Sequence, residues 1–333
     1  RAELQPSTYL ERLTTSLAEL VPVIKTDEEP LQRFNSRNLL TVAVTPFEVQ
    51  GDGPMLKDLA DTLTQEMPMH LRFDDFTVVS TRSVKRAFAN DDDPIALGRA
   101  LNAHWVVYGA LRKRGDDLEV RVELTDTQTG ESLWSGRLSI PLEGADQYIN
   151  YISRQFEISI TANVYSRIAS ETADHEESKL DVPALQARFR NRTEGFNDAA
   201  FSIPLVERMI ELEPDNPRPK ANLVQVLSVQ IANRGMGAAD RRFARMKDQI
   251  NEVMTLQRSD APAIHACSFA YLWAGEQRLA LQLARRAYSL AQVIATKGNL
   301  ASCLVMNGLA KEAWQEIAEL DYVLYGCPSV LSR

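Results

Sequence analysis

Residues 39–47 have the sequence LLTVAVTPF, which is apolar almost throughout and rich in β-branched side chains. A continuous apolar run of this length, with a proline near its end, is typical of a strand buried on both faces of its sheet. Later in the chain, LEVRVEL at 118–124 alternates apolar with charged residues as a half-buried strand does, and SLWSGRL at 132–138 is also of β type. The segments after residue 142 have helical patterning. The stretch 39–142 therefore predicts an α/β or α+β domain, followed by an all-α region.

Further strands and helices complete the predicted domain. Asp93 followed by Pro94 is a typical helix start, because the carboxylate caps the first turn and proline suits its first position. The expected order is β-α-β-α-β-β-β, with about five strands and flanking helices. The remaining predicted elements are strands at 76–80 and 105–111 and helices at 56–71, 83–89 and 94–103.

The patterning divides the chain into four parts. An amphipathic segment at 7–21 and the polar stretch after it predict a short helix and a linker. Residues 146–172 carry apolar side chains at helical spacing and predict one long helix, which an acidic, polar stretch follows. We therefore expect a helix and linker at 1–38, the α/β domain at 39–145, a connecting helix and linker at 146–180, and helical repeats at 181–333.

A sequence repeat indicates how the carboxy-terminal helices pack. Its period of 33 residues is close to that of tetratricopeptide (TPR) repeats, in which pairs of helices stack side by side. Small residues at the repeated positions would let the paired helices approach closely. The repeated positions are Gly275, Ala280, Ala284 and Ala287, and then Gly308, Ala313, Ile317 and Leu320.

A stacked array of this kind presents a concave surface, which is the most general place for a binding site. In the register of the repeat, the concave positions include Arg218, Gln225, Ser228, His265 and Phe269. We predict that these residues bind a protein partner, a second copy of the chain or a small-molecule ligand, and the pattern does not choose among the three.

The composition excludes several classes of protein. The chain has 333 residues, 44% hydrophobic and 25% charged, and its net charge of −8 makes direct nucleic-acid binding an unfavourable interpretation. No apolar run approaches the roughly 20 residues that cross a bilayer, and the first residues lack the apolar core of a signal peptide. Because the chain begins with Arg1 rather than methionine, we expect a piece of a longer protein. The three cysteines favour a reducing compartment. We therefore expect a cytoplasmic protein, or a periplasmic one if a membrane helix precedes Arg1.

Motifs for catalysis, metals and cofactors are missing from the sequence. The glycine-bearing loop at 48–54 lacks the Lys-Ser/Thr pair of a phosphate-binding loop. His265 and Cys267 are close in sequence, but the cysteine falls at a packing position, where a free thiol acts as a small apolar group. We predict that the protein is not an enzyme and has no metal or cofactor. Three charge clusters are better explained as a helix cap, a charged sheet edge and a solvated helix face, at 91–93, 112–114 and 241–247 in that order.

Four segments of the α/β domain resemble one known family. Residues 43–47, AVTPF, are similar to the AVLPF opening of the TolB amino-terminal-like domain. Residues 60–66, 95–109 and 122–134 resemble, in the same order, the ADGLTEE helix, the ARELGVDYVLEG block and the AQLIDAATGEHLW block of that family. The pattern departs from the family where it has a threonine for an aliphatic residue, at position 45, and a tyrosine for an acidic residue, at position 108.

The resemblance implies a non-enzymatic function, because the family has no catalytic motif in this region. In bacteria this domain is commonly followed by TPR repeats, in the carboxy-terminal part of winged-helix transcriptional regulators or of class III adenylate cyclases. It therefore implies a sensing or protein-interaction region, in which a ligand or partner acts on an output domain that would precede Arg1. The alternative is a scaffold protein of the cell envelope, where related α/β domains also occur.

Overall fold

The structure is a computed structural model, which describes residues 37–191, 199–234, 241–256 and 259–317. The predicted helix at 7–21 lies outside the described residues, as do Leu320 and Cys327. In the described part a mixed β-sheet is followed by a run of α-helices, and this confirms the predicted fold class.

The described part of the sheet contains β1 (Thr41–Val44), β2 (Glu48–Gln50), β3 (Thr77–Val78), β4 (Trp105–Arg114), β5 (Asp117–Asp126) and β6 (Ser132–Pro141). The strands lie in the order β3-β1-β4-β5-β6, with β2 beside β4. The first three strands run parallel to their neighbours, whereas β4, β5 and β6 form an antiparallel meander. The sheet is therefore parallel at one side, where helices connect the strands, and antiparallel at the other.

The strand predicted at 39–47 is divided in the structure. It appears as β1 and the short strand β2, both of which pair with β4, and Pro46 lies between them. Proline has no N–H to donate, so the strand cannot continue unbroken through this position. The ring of Phe47 lies against Gly109 of β4, where a Cβ atom would come within 2.3 Å of the ring. The glycine of β4 thus makes room for the break in its neighbour.

Helices cover the parallel side of the sheet on both faces. They are α1 (Pro54–Phe73), α2 (Thr81–Phe88) and α3 (Pro94–Leu101). The predicted cap of α3 is confirmed, because Asp93 Oδ2 accepts a hydrogen bond of 2.8 Å from the Ala96 N–H. Helices α2 and α3 pack over a small separate core made of Ala43, Val84, Leu97, Ala103 and Val106.

The predicted long helix is α4 (Ile149–Glu171), which follows a 3-10 turn at Ala145–Tyr148. It packs against α1 and β6, so it belongs to the packing of the sheet as well as joining the sheet to the helical region. The helical region comprises α5 (Val182–Asn191), α6 (Ala199–Leu212), α7 (Pro217–Arg234), α8 (Arg241–Leu256), α9 (Ala261–Trp273), α10 (Gln277–Leu290), α11 (Ile294–Met306) and α12 (Ala310–Ile317).

The last four helices form two consecutive pairs. Gly275, with φ +80°, lies in the turn from α9 to α10, and Gly308, with φ +76°, lies in the turn from α11 to α12. Both are left-handed conformations that glycine adopts without strain. In α10 the side chains of Ala280, Ala284 and Ala287 are fully buried. The repeated glycine and alanine positions therefore mark equivalent turns and contacts, while the assignment to the TPR family stays a prediction.

One continuous hydrophobic core joins the sheet, α4 and the helical region. Phe156 and Ile160 of α4 belong to the same core as Phe189 of α5 and Leu223 of α7. None of the helices within the described ranges has the length and the apolar character that a bilayer crossing requires.

Candidate functional site

A cleft of about 610 Å³ lies between the end of α1, α4 and the helices α5, α7 and α9. One wall comes from the turn after α1 and from α4, and the opposite wall comes from the helical region. Its polar lining consists of Asp74, Asp75, Arg154, Thr161, Tyr165, Arg190, Asn191, Arg218, Asn222, Gln225 and His265. The cleft is the candidate site because it combines this polar set with a volume suited to small ligands.

Three of the five residues predicted from the repeat register line the cleft, namely Arg218, Gln225 and His265. Ser228 instead is fully buried, and its hydroxyl donates to the carbonyl of Gln225 at 2.8 Å. Ser228 lies three positions beyond Gln225, so its side chain is rotated about 60° from that of Gln225 around the helix axis and points into the core. Phe269 lies one turn further along α9, where its ring packs 5.8 Å from the ring of Trp273. Neither residue lines the cleft, Phe269 is half-buried, and the prediction that the two belong to a binding surface stays a prediction.

Arg218 connects the α/β domain to two helices of the helical region. Its Nη1 forms an ion pair with Asp75, in the turn after α1, and its Nε donates to Asp260 at 3.1 Å. Asp260 also caps α9, since its Oδ1 accepts from the Ala263 N–H at 2.8 Å. Burial lowers the pKa of Arg218, but the charges of Asp75 and Asp260 outweigh that effect and raise it above its ordinary value. The guanidinium thus stays charged in a largely enclosed position.

Arg190 of α5 makes a second link to the same turn. Its Nη1 lies 3.3 Å from Asp74 Oδ1 and its Nη2 lies 3.3 Å from Asp75 Oδ2. The guanidinium also lies 5.2 Å above the ring of Tyr165, a favourable cation–π geometry. Asp75 has φ +74°, a left-handed conformation that aspartate tolerates better than most residues do. The turn therefore directs two successive carboxylates towards the helical region.

Glu157 of α4 is a completely buried carboxyl group beneath this turn. Burial raises its pKa to about 9, and the hydrogen bond and charge of Asp74 contribute further, while Arg154 acts in the opposite direction. Burial alone would also raise the pKa of Asp74, but the hydrogen bond from Glu157 and the charges of Arg190 and Arg154 lower it to about 2. At neutral pH the two carboxyl groups hold one proton, which resides on Glu157 and is donated to Asp74.

His265 contributes to the cleft lining and has a buried polar atom that makes no hydrogen bond within the described ranges. Its Nδ1 is buried and has no hydrogen-bond partner among the described residues. The imidazole packs edge-on against Phe73, with 5.6 Å between the ring centroids. Burial, together with the charge of Arg154, lowers its pKa to about 4. The ring is therefore neutral at physiological pH, and its Nδ1 is a buried polar atom without a hydrogen bond among the described residues.

Other polar clusters in the described residues have structural explanations. Arg112 and Arg114, interpreted from the sequence as a charged sheet edge, form ion pairs with Glu119 of β5 at 2.8 and 3.5 Å. Cys267 is buried, and burial raises the pKa of its thiol to about 12, so it has the properties expected of a packing residue. The described ranges contain no cluster of three or more His, Cys, Asp or Glu side chains with the arrangement of a metal site.

Sequence reasoning missed Asp74, Asp75, Arg154, Glu157 and Arg190. Asp74 and Asp75 lie in an ordinary helix-end turn, and the sequence has no local sign that arginines 116 and 143 residues away pair with them. Charged residues within an apolar helical pattern, such as Glu157, were the one available signal, since a charge on the buried face of a helix requires a partner.

Sequence comparisons match part of the chain to a regulator domain and to a putative adenylate cyclase. Residues 37–152 match the family model described as "HilA/YgeH-like transcriptional regulator, second domain". A protein of Rhizobium meliloti (strain 1021) named "Putative adenylate cyclase 3" is 22% identical over 242 residues, which is 70% of this chain and 40% of that protein. The chain thus spans about two fifths of the length of this curated relative. These matches agree with the predicted resemblance to regions of bacterial transcriptional regulators and of adenylate cyclases.

Similar solved structures each cover less than half of the chain. The lipoprotein GNA1162 from Neisseria meningitidis has a TM-score of 0.26 and 18% identity. Its alignment covers 30% of this chain and 81% of the GNA1162 chain. The LpoB carboxy-terminal domain from Salmonella enterica has a TM-score of 0.25 and 20% identity, and covers 30% of this chain and 82% of its own. TolB from Acinetobacter baumannii has a TM-score of 0.25 and 20% identity, and covers 39% of this chain and 28% of its own.

Proposed function

We propose that this chain is a non-enzymatic sensing region of a bacterial, cytoplasmic regulatory protein. A ligand or partner would bind in the cleft and act on an output domain elsewhere in the same protein. The observation that carries the proposal is the pair of arginines, Arg190 and Arg218, that join the acidic turn of the α/β domain to the helical region. An occupant of the cleft would touch both parts of the molecule at the place where they are linked.

The physical basis of such sensing is a shift between two conformations. A ligand changes their populations only if it binds one of them more tightly than the other. Arg218 reaches Asp75 from one side and Asp260 from the other, so any change in the position of α7 alters contacts with both the turn and α9. A ligand that competes for these guanidinium groups would favour a different arrangement of the same helices.

The family match supports the regulatory part of the proposal, since residues 37–152 correspond to a domain of transcriptional regulators. The absence of an enzymatic role is proposed from the site itself. The groups at the cleft are arginines held in ion pairs, a neutral imidazole and a carboxyl pair that shares one proton. The helical region, which we propose to be TPR-like, would offer its remaining surface to a protein partner or a second copy of the chain.

Small-molecule extract from bacterial cells provides a direct test. The thermal midpoint and the light-scattering mass of the wild-type chain would be measured with and without the extract. We expect the extract to raise the midpoint, and we expect Arg218→Gln to abolish the rise. Arg208→Gln is the matched control, because Arg208 forms a more exposed pair with Glu211 on the neighbouring helix α6. If the wild-type chain responds in neither mass nor midpoint, the sensing proposal fails and a scaffold that docks proteins becomes the better explanation.

A further inference from the structure

Strand β6 (Ser132–Pro141) forms one edge of the sheet. Within the described part of the chain it pairs with β5 on one side and with no strand on the other. Native sheets usually protect such an edge with a short strand, a lysine, a bulge or a covering segment, because an open edge pairs readily with another strand. The stretch from Ser135 to Ser139 contains neither a lysine nor a bulge, since the register shift of β6 lies before it. The middle of this ten-residue strand is therefore suited to pairing.

The turn between β4 and β5 determines which backbone groups of β6 face outwards. Arg114 and Asp117 flank this two-residue turn at 115–116, and residues in that position exchange hydrogen bonds with each other. The direction of hydrogen bonding alternates along a strand, so the even-numbered residues of β5 and their even-numbered partners in β6 bond to each other. The N–H of Leu142, which donates to the Asp116 carbonyl at 2.9 Å, has the same phase. The outward N–H and C=O groups of β6 therefore belong to the odd-numbered residues Ser135, Arg137 and Ser139.

Pro141 agrees with this assignment. It belongs to the same odd-numbered set, so its nitrogen, which carries no hydrogen, lies on the open side of β6. Proline within a sheet is confined to edges, strand ends and bulges for this reason. No other element of the described chain forms a hydrogen bond with the backbone of Ser135, Arg137 or Ser139. These groups are therefore available to a partner strand.

We propose that β6 pairs antiparallel with β6 of a second copy of the chain, about a twofold axis at Gly136. This register places Ser135 opposite Arg137 of the second copy, and the two residues exchange hydrogen bonds on each side of the axis. On the other face of the sheet, Trp134 comes to lie opposite Leu138 of the second copy. Both side chains are half-buried in the single chain, so the pairing covers apolar surface that is now partly exposed. Glycine at the axis gives room where the two strands approach most closely.

Charge complementarity favours a second copy as the partner. Glu123 of β5 is exposed and forms no ion pair within the described ranges, and its cross-strand neighbour in β6 is Ser135. In the proposed register, Arg137 of the second copy lies beyond that serine, with its Cα about 10 Å from the Cα of Glu123. Arginine and glutamate side chains together span this distance across the small serine. A register centred on Arg137 would instead place two arginines opposite each other, which is unfavourable.

Arg137 can form this contact without loss to its own chain. Its Nη1 lies 3.7 Å from Glu119, the longest of the four arginine contacts of that carboxylate. The other three arginines keep Glu119 paired when Arg137 turns towards the edge. The twofold axis makes the contact twice, once for each copy.

The wild-type chain provides the first test. Light scattering after size-exclusion chromatography, over a wide range of concentration, should show the mass rising from one chain to two. Amide hydrogen exchange measured by NMR should locate the contact. We expect the amides of Ser135 and Arg137 to exchange more slowly as the fraction of dimer rises. The amides of Gly136 and Leu138, which already bond to β5, should show no change.

Proline at position 135 removes the outward N–H and keeps the bonds within the sheet. Ser135→Pro should weaken the dimer by about thirtyfold, because one hydrogen bond is lost on each side of the axis. Ser135→Ala is the matched control, since it removes the hydroxyl and keeps the N–H, and it should leave the dimer unchanged. Thermal midpoints of both variants, measured in dilute solution, would check that each one folds.

The charge contact has its own pair of variants. Glu123→Gln should weaken the dimer by about threefold, because exposed ion pairs are weak and two are lost. Glu48→Gln is the control, since Glu48 is also exposed but lies in β2, on the other side of β4 from β6. This control should leave the dimer unchanged.

Three results would overturn the proposal. They are a chain that stays single at every concentration, a dimer in which the amides of Ser135 and Arg137 exchange as fast as in the single chain, and a dimer that Ser135→Pro and Ser135→Ala affect equally. If Ser135→Pro does not fold, amide exchange in the wild-type chain decides the question by itself. The outcome is independent of the cleft, so the sensing function stands or falls by its own test.

Discussion

Two buried glutamates of this protein, Glu119 and Glu157, both form ion pairs with arginine and yet differ in charge. Glu119 lies in β5 with its side chain 2% exposed, and four arginines form ion pairs with it at 2.8 to 3.7 Å. Burial would raise its pKa, but the hydrogen bonds and charges of Arg112 and Arg121 hold the pKa below its ordinary value. Glu157 lies on α4 beside Asp74 and has one arginine, and its pKa rises to about 9. The first glutamate is ionised and the second is protonated.

The difference shows that partner number and geometry decide the charge of a buried acid. The arginines around Glu119 come from β4, β5 and β6, and the regular register brings alternate side chains to one face. Their outer ends are exposed, which limits the cost of removing charge from water. The cleft has less redundancy, because Asp75 pairs with two arginines and Asp74 with one, and both arginines come from distant helices. A change of one group should therefore be tolerated at the sheet and damaging at the cleft.

The largest effect is expected for Asp75→Ala. This change leaves Arg190 and Arg218 without one carboxylate partner each. It also places alanine, which favours left-handed backbone less than aspartate does, at φ +74°. Breaking partly buried ion pairs costs roughly 3–5 kcal/mol of unfolding free energy, which urea titration would measure. Asp75→Asn is the control, since it keeps the shape and tolerates the backbone conformation. If the alanine variant lost less than about 1 kcal/mol, the link between the two regions would be weaker than the structure indicates.

The next effect concerns the pH dependence that Glu157 causes. Its pKa is about 9 in the folded chain and near 4.5 in the unfolded chain, so between these values the folded state holds a proton that the unfolded state lacks. Stability from this group is complete below pH 4.5 and is lost as the pH rises towards 9, by about 1.4 kcal/mol per pH unit between the two values. Asp74, Arg154 and Arg190 are the charged groups that act on the pair.

Glu157→Gln should remove this slope. The amide keeps a hydrogen-bond donor for Asp74 and cannot ionise, so the variant should match the wild type near pH 5 and exceed its stability near pH 8. Thermal midpoints at half-unit pH intervals would measure both curves. Parallel curves for variant and wild type across this range would contradict the shared proton.

Glu119→Gln should produce the opposite dependence on pH. Because the pKa of Glu119 is lowered in the folded chain, its contribution is present above pH 4.5 and is lost as the pH falls through the folded value. The variant should be less stable than the wild type at pH 7, and the difference should narrow in acid. Thermal midpoints at pH 7 and pH 3.5 would test this. A difference that widened in acid would show that Glu119 is not ionised.

The sequence was informative wherever local pattern decides structure. Alternation in 118–124 and the apolar run at 39–47 predicted strands that the sheet contains, and Asp93 was correctly predicted as a helix cap. The glycines at 275 and 308 marked equivalent turns, because a left-handed backbone position has a recognisable residue preference. The exception was β2, which Pro46 separates from β1 and which is too short to show a pattern of its own.

The cleft was only partly predictable because it depends on distant contacts. The repeat register identified Arg218, Gln225 and His265, since helical periodicity fixes which residues share a face. It also included Ser228, which the structure buries, because its small hydroxyl donates to a carbonyl of its own helix. The carboxylates that complete the site lie in the turn after α1. Asp75 is 143 residues before its partner Arg218, and no local sequence rule connects these two residues.

The smallest effect is expected when a single arginine is removed from Glu119, and Arg114→Gln is the sharpest choice. The side chain of Arg114 is 68% exposed and lies 3.5 Å from Glu119, while three other arginines remain. Exposed ion pairs contribute about 0–1 kcal/mol, and redundancy should bring this loss to below about 0.5 kcal/mol. Arg190→Gln is the matched comparison at the cleft, because it also removes one guanidinium. Arg190 contacts both Asp74 and Asp75, and among the described residues Arg218 remains as an ion-pair partner at Asp75. Urea titration of the two variants side by side would measure the contrast directly. Equal losses would mean that redundancy of partners does not protect the sheet, and the distinction between the two buried glutamates would have to rest on the shared proton alone.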